Sequence, residues 1–199
     1  MGIGGVPDPG PGGQERIVDA ALECIARWGV AKTTLDDVAR QAGCSRATVY
    51  RVFPGGKEAL FEAVGRTEVA RLFAALGESL EAPDTLEDVL VAGMTEAGRR
   101  IRAHRPLQFL LAHEPELIAA RLAFSREDEV LEAVSSFAAP YLSRWLAADD
   151  ALRAAEWATR LVLSYLSAPT REVDMTDEES VRRLVRTFVL PGLAPRLAS

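Results

Sequence analysis

Polar and cationic side chains suited to binding nucleic acid are concentrated between Ser45 and Lys57, a stretch without an acidic residue. The Arg46 guanidinium could pair with O6 and N7 of guanine, and Ala47 or Thr48 could contact a thymine methyl group. Hydroxyl groups and cations form most contacts with phosphate oxygens. The predicted contacts with double-stranded DNA are Thr34, Ser45, Arg46, Ala47, Thr48, Tyr50, Arg51 and Lys57.

The net charge of −6 is unevenly distributed along the chain. Residues 1–66 contain 8 Lys and Arg and 8 Asp and Glu, so the charges there cancel, and residues 67–199 carry the whole negative excess. Residues 38–57 hold four cations and no acid. Because phosphate binding depends on the local potential, this basic segment is the expected point of contact with DNA.

The apolar residues around this segment have the spacing of amphipathic helices. A first helix is predicted from Gln14 to Trp28, and Gly29 is expected to end it. Thr34 can cap a second helix, and Asp37 can complete a capping box with it. The face of the first helix that is expected to be buried consists of Ile17, Ala20, Ala21, Cys24, Ile25 and Trp28.

The segment from Leu35 to Phe53 has the spacing of a helix-turn-helix. Ala39 is small enough for two helices to cross closely, and Gly43 can adopt the positive φ that the turn needs. Val49 fills the core between the helices, while the second helix would lie in the major groove of DNA. The alternative is a helical hairpin within a bundle, whose charges are merely solvated.

The rest of the chain predicts further helices and almost no strand-like alternation, so the expected fold class is all-α with nine or ten helices. Pro140 is expected to kink or split the helix that contains it. Thr176 and Glu179 form an expected capping box for the last helix. The predicted helices span residues 57–81, 85–104, 107–113, 116–125, 126–146, 150–168 and 177–190.

The stretch from Gln14 to Leu60 resembles the DNA-binding region of the TetR family of bacterial regulators. One position departs from the family pattern, since Gly56 stands where Ser or Asn is more usual before Lys57. The resemblance implies a sequence-specific transcriptional regulator, expected to be a ligand-responsive repressor that binds a palindromic operator as a homodimer. The residues that carry it are Gly29, Thr33, Thr34, Val38, Ala39, Ala42, Gly43, Ser45, Thr48, Tyr50, Phe53 and Lys57.

The expected organisation is a disordered tail over residues 1–13, a DNA-binding domain over 14–60, and a helical regulatory and dimerisation domain over 61–199. The tail contains three prolines and six glycines. The family resemblance implies a dimer formed by the last two long helices, and small and apolar residues at helical spacing there agree with it. The expected dimer contacts are Ala154, Ala158, Leu161, Tyr165, Val181, Leu184 and Phe188.

A small hydrophobic effector is expected to bind among the apolar and aromatic residues of the C-terminal region, because pockets between bundled helices are common. Ordinary core packing is the alternative interpretation of these residues. The expected effector contacts are Met94, Phe109, His113, Phe137, Trp145 and Trp157.

The sequence disfavours an enzyme, a metal site, a bound cofactor and a membrane span. Its two histidines lie nine residues apart, and no nucleophile elbow, phosphate-binding glycine loop or metal-ligand cluster is present. The N-terminus has no secretory signal, which predicts a cytoplasmic protein. Two alternatives remain open: a helical ligand-binding or interaction module with vestigial DNA binding, and a regulator that senses oxidants through Cys44.

Overall fold

The computed structural model describes residues 12–114, 116 and 127–197, and these residues contain helices and no strand. They form two compact units. The N-terminal unit comprises residues 12–70 together with 105–114, and the C-terminal unit comprises residues 71–104 and 127–197. The expected all-α fold class is confirmed. The predicted tail and the predicted helix 116–125 lie almost entirely outside the described residues.

The N-terminal unit contains the three expected helices of a helix-turn-helix domain. Gly29 interrupts the first helix with φ 79° and ψ 174°, so the chain kinks there and continues to Lys32. The helices are α1 (Gly13–Lys32), α2 (Leu35–Gln41), α3 (Arg46–Val52), the first part of α4 (Gly56–Glu81) and α6 (Arg105–His113).

The core of the N-terminal unit lies where α1 to α4 meet. Ile17, Val38, Val49 and Leu60 are completely buried in it. Trp28 was expected on the buried face of α1 but is 40% exposed, because the kink at Gly29 ends the regular face just beyond it. The expected small residue at the helix crossing, Ala39, is buried.

Helix α6 belongs to the N-terminal unit, although the sequence assigned all residues after 60 to the second domain. Its Leu110 packs against the N-terminal core. At the kink of α1, the backbone N–H of Ala31 donates a hydrogen bond of 3.4 Å to Glu114, just after α6. Apolar periodicity predicts this helix. It does not predict that the helix packs against the N-terminal core, because that contact joins residues far apart in the chain.

The C-terminal unit is a helical bundle built on α5, whose N-terminus Thr85 caps by accepting a hydrogen bond from the N–H of Asp88. Its core combines Val89 and Val91 with Ala151, Val181 and Val185, each at most 1% exposed. Within the described residues, no helix is both long and apolar enough to cross a bilayer. The helices are α5 (Leu86–Ala103), α7 (Glu127–Leu142), α8 (Ala148–Ser167), α9 (Glu178–Leu184) and α10 (Leu190–Leu197).

Two expectations about helix ends in the C-terminal unit need correction. The cap of α9 is Asp177, whose carboxylate accepts a hydrogen bond of 2.8 Å from the N–H of Ser180. Thr176 was the expected cap, but its hydroxyl donates to Asp174 instead. Pro140 lies inside α7, which ends at Leu142 rather than at the expected Leu146.

A π-helical turn over Val185–Val189 joins α9 to α10. Pro191 follows it in the first turn of α10 and has no N–H to donate back along the helix. A wider π turn accommodates such a break in the hydrogen-bond ladder. The turn leaves Phe188 71% exposed.

Candidate nucleic-acid interface

Helix α2 begins with the capping box that the sequence predicted. The Thr34 hydroxyl accepts a hydrogen bond of 3.2 Å from the Asp37 N–H and donates one of 2.6 Å to the Asp37 carboxylate. The bond from Thr34 is the main reason why the pKa of Asp37 is lowered. The hydroxyl is therefore occupied within the protein, but Thr34 remains on the surface, where a phosphate could approach it.

The turn between α2 and α3 has the geometry expected of a helix-turn-helix. Gly43 adopts φ 65°, which L side chains rarely do. The backbone N–H of Cys44 donates a hydrogen bond of 2.9 Å to the carbonyl of Ala39, and this bond closes the turn. These contacts fix the angle at which α3 leaves α2.

Ser45 caps α3 by accepting a hydrogen bond of 3.1 Å from the N–H of Thr48. The prediction that Thr48 faces outward is wrong, since only 6% of its surface is exposed. Its hydroxyl lies 3.0 Å from the Ser45 hydroxyl, so Thr48 supports the cap of α3. Of the two residues expected to contact a thymine methyl group, Ala47 is the exposed one.

The outer face of α3 consists of four exposed residues, Arg46, Ala47, Tyr50 and Arg51. A guanidinium nitrogen of Arg46 lies 2.9 Å from the carboxylate of Asp36 on α2, and another lies 3.4 Å from the Tyr50 hydroxyl. Tyr50, and then Asp36, raise the pKa of Arg46. Asp36 was not among the residues expected at the DNA interface, although its place in the first turn of α2, just before the basic segment, could have indicated it.

Lys57 lies in the first turn of α4 and is partly buried. Its ammonium group donates a hydrogen bond of 3.3 Å to the carbonyl of Ala31, near the end of α1, and lies 5.3 Å from the centre of the Phe61 ring. The lysine therefore ties α4 to α1 in the absence of DNA. A phosphate contact would require its ammonium group to turn toward solvent.

The two cysteines are free thiols. Burial raises the pKa of Cys44, and a raised pKa leaves less of the reactive thiolate at neutral pH. This environment disfavours the alternative of an oxidant sensor at Cys44. Among the residues that the structure describes, no group of three or more His, Cys, Asp or Glu could hold a metal ion.

Comparison with known proteins agrees with this geometry. The family model described as bacterial regulatory proteins, tetR family, matches residues 17–64. The HTH-type transcriptional regulator Rv1255c of Mycobacterium tuberculosis is 30% identical over 190 residues, which cover 93% of this chain and 87% of that protein. The chain belongs to the TetR family. It is a DNA-binding transcriptional regulator.

Other transcriptional regulators match over most of the chain. The HTH-type transcriptional regulator BetI of Rhizobium meliloti is 30% identical over 184 residues, covering 84% of this chain and 83% of BetI. The repressor AlkX from a Dietzia strain has the same fold, with a TM-score of 0.66, 22% identity and coverage of 96% and 99%. FadR of Bacillus subtilis in complex with stearoyl-CoA gives a TM-score of 0.63, 18% identity and coverage of 88% and 98%.

The residues expected at a TetR-type dimer seam fall into two groups. Ala154, Val181 and Leu184 are at most 4% exposed, because they pack in the core of their own C-terminal unit. We therefore remove these three from the expected seam. Phe188 is 71% exposed, and Ala158, Leu161 and Tyr165 are half-buried at the edge of that core.

The residues expected to bind an effector are not all brought together. Phe109 and His113 stack on each other with ring centres 4.3 Å apart, but they belong to the N-terminal unit. Trp157 is 63% exposed and therefore does not line an enclosed site. The three that remain in the C-terminal unit are Met94, which is buried, and Phe137 and Trp145, which are half-buried.

Proposed function

We propose that this chain is a ligand-responsive repressor that binds an operator of twofold symmetry as a homodimer. The main support for this proposal is the outer face of α3, where Arg46, Ala47, Tyr50 and Arg51 are exposed. The capped turn before α3 fixes the orientation of this helix. Arg46 would read guanine, while Tyr50 and Arg51 would contact the backbone or neighbouring bases. Such a repressor acts on chromosomal DNA, which places it in the cytoplasm.

The homodimer is supported by apolar side chains that the C-terminal unit leaves exposed. Trp157 on α8 is 63% exposed and Phe188 on the π turn is 71% exposed. Large exposed aromatic side chains are more frequent at interaction surfaces than on the rest of a protein surface. Together with Leu161 and Tyr165, they form the seam that we propose for the dimer.

The proposed effector is a small hydrophobic molecule that contacts Phe137, Trp145 and Met94. Phe137 stacks on Phe73 with ring centres 4.5 Å apart, and the Tyr141 ring lies 5.6 Å from it. This aromatic cluster offers apolar surface, whereas the Arg144 guanidinium lies 4.6 Å from the centre of the Trp145 ring. The structurally similar FadR binds stearoyl-CoA, which makes a long-chain acyl-CoA a reasonable first probe.

The test selects binding sites for the full-length protein from random double-stranded DNA and then adds stearoyl-CoA to the complex. We expect an enriched sequence with two inverted half-sites, whose centres are about 34–36 Å apart. An acyl ligand is expected to weaken that complex. Failure to enrich any sequence would contradict the proposed binding to an operator of twofold symmetry and favour a module with vestigial DNA binding. Enrichment without a response to stearoyl-CoA would contradict only the choice of effector.

A further inference from the structure

The kink at Gly29 starts a short final turn of α1 that has no capping side chain of its own. Gly29 has non-helical dihedral angles, and the helix then continues to Lys32. Gly29 therefore stands where a capping residue stands before a new helical turn. In that position a side-chain oxygen normally accepts a hydrogen bond from the N–H of the second or third residue that follows. Glycine cannot supply that oxygen.

Glu114, which follows α6, supplies the missing acceptor. Its Oε1 atom accepts a hydrogen bond of 3.4 Å from the backbone N–H of Ala31, the second residue after Gly29. The two residues are 83 positions apart in the sequence, so this contact exists only in the folded N-terminal unit. The Glu114 carboxylate thus takes the place of a local cap for the last turn of α1.

Gly29 also makes room for this carboxylate. A Cβ atom at this position would overlap the Oε1 atom of Glu114 and would lie 3.0 Å from Cε1 of Phe109 on α6. The positive φ of Gly29 is likewise a conformation that L side chains rarely adopt. The glycine therefore provides both the kink and the space that Glu114 occupies.

The turn that Glu114 caps leads directly into a residue expected to contact DNA. Thr33 is completely buried, and its hydroxyl donates a hydrogen bond of 2.6 Å to the carbonyl of Gly29. The next residue, Thr34, forms the capping box of α2. The position of Thr34 at the start of α2 therefore depends on the final turn of α1.

The backbone of Ala31 connects Glu114 to a second residue expected to contact DNA. Its N–H donates to Glu114, while its carbonyl accepts the hydrogen bond of 3.3 Å from the ammonium group of Lys57. A shift of Ala31 would move the acceptor that orients Lys57 on the free protein. One carboxylate outside residues 14–60 thus supports two of the expected DNA contacts.

We propose that Glu114 is a positioning residue for DNA binding. Its carboxylate caps the last turn of α1 and so fixes the segment from Ala31 to Thr34, which sets the approach of α2 and Lys57 to the DNA backbone. Glu114 acts through the backbone of Ala31 and does not itself contact DNA. The inference rests on the proposed operator binding, whereas the contact that carries it is measurable on the free protein.

Hydrogen exchange of the full-length protein tests the contact without DNA. We expect Glu114→Ala to exchange at least about threefold faster over residues 29–34, because the Ala31 amide loses its acceptor. Glu114→Gln retains an oxygen that can accept the bond and should retain most of the protection. The matched control is Glu116→Ala, which removes an exposed carboxylate two residues further along. Equal exchange of Glu114→Ala and the wild type in this segment would overturn the proposal.

Anisotropy titrations with the operator selected by the wild type measure the consequence for DNA binding. We expect Glu114→Ala to lower operator affinity at least about fivefold, and Glu114→Gln and Glu116→Ala to remain within about twofold of the wild type. The titrations are made well below the melting temperature of every variant, so that unfolding does not lower the affinity. A lower melting temperature with unchanged operator affinity would assign Glu114 a purely structural role and would reject the proposal.

Failure of this inference and failure of the proposed function give different results. A wild type without operator preference would contradict operator binding itself. A wild type that prefers its operator, with the same preference and affinity in Glu114→Ala, would overturn only the role of Glu114.

Discussion

The Arg46 guanidinium lies 2.9 Å from the Asp36 carboxylate, so the arginine expected to read DNA is held by an acid from the preceding helix. Both side chains are more than half exposed, at 55% and 59%. Exposed ion pairs contribute little to stability, and guanine or a phosphate can therefore displace Asp36. The pair orients Arg46 on the free protein and places a negative charge where non-specific DNA would approach.

Arg46→Ala is expected to lower operator affinity by about 1–3 kcal/mol while leaving the fold intact, because an exposed base-reading side chain adds little to stability. Arg66→Ala is the matched control, since Arg66 forms an exposed pair with Glu62 on α4. Fluorescence anisotropy with operator and scrambled DNA measures the effect. Normal discrimination between the two DNAs would remove Arg46 from the residues that read bases.

Asp36→Asn is expected to increase affinity for scrambled DNA several-fold. The ratio of the affinity for operator to the affinity for scrambled DNA should therefore fall. The substitution removes a charge that repels phosphate and releases Arg46 from its partner. Glu62→Gln, which breaks a comparable exposed pair, serves as the control. Fluorescence anisotropy titrations with operator and scrambled DNA measure both affinities. Unchanged affinity for scrambled DNA would show that Asp36 has no part in selectivity.

Lys57→Ala is expected to weaken binding to operator and non-operator DNA by similar factors. It should also lower the slope of log K against log salt concentration by about 1, because one fewer phosphate is neutralised. Lys57→Arg retains the charge and should retain the slope. A loss of affinity for the operator alone would show that the hydrogen bond from Lys57 to the Ala31 carbonyl positions the domain for specific binding.

The double substitution Trp157→Glu and Phe188→Glu is expected to yield a monomer at micromolar concentration, with normal helix content and weakened operator binding. Both side chains are exposed on the single chain, so charge there leaves the core intact but opposes a buried seam. Val69→Glu, at an apolar residue 45% exposed on α4, is the control. Sedimentation velocity measures the outcome, and a persistent dimer would place the seam elsewhere.

Gly98→Ala is expected to destabilise the C-terminal unit by about 1–3 kcal/mol, because α5 passes close to the segment before α9. A Cβ atom at Gly98 would lie 2.2 Å from the carbonyl oxygen of Met175, a backbone atom that cannot move cheaply. Gly65→Ala on α4 would meet nothing within 4 Å and should be neutral or slightly stabilising. Urea unfolding compares the two, and equal stabilities would contradict the tight contact.

The local features of the DNA-binding region follow from the sequence. The cap at Thr34, the turn at Gly43 and the cap at Ser45 depend on residues within about four positions of one another, because helix caps and turns are local hydrogen-bonded structures. Apolar spacing also predicts most helices. These signals identify the type of domain and the exposed Arg46 without reference to distant contacts.

Tertiary packing decided which apolar face meets which partner. Val181 and Leu184 have the spacing of a seam, yet they fill the core of their own unit, while Phe188 is left outside by the π turn. Thr48 is buried because α3 packs against α2. Val49 lies in the core between these two helices and sets the rotation of α3 about its own axis. Periodicity defines the faces of a helix, but only contacts between residues far apart in the chain assign each face to core, partner or solvent.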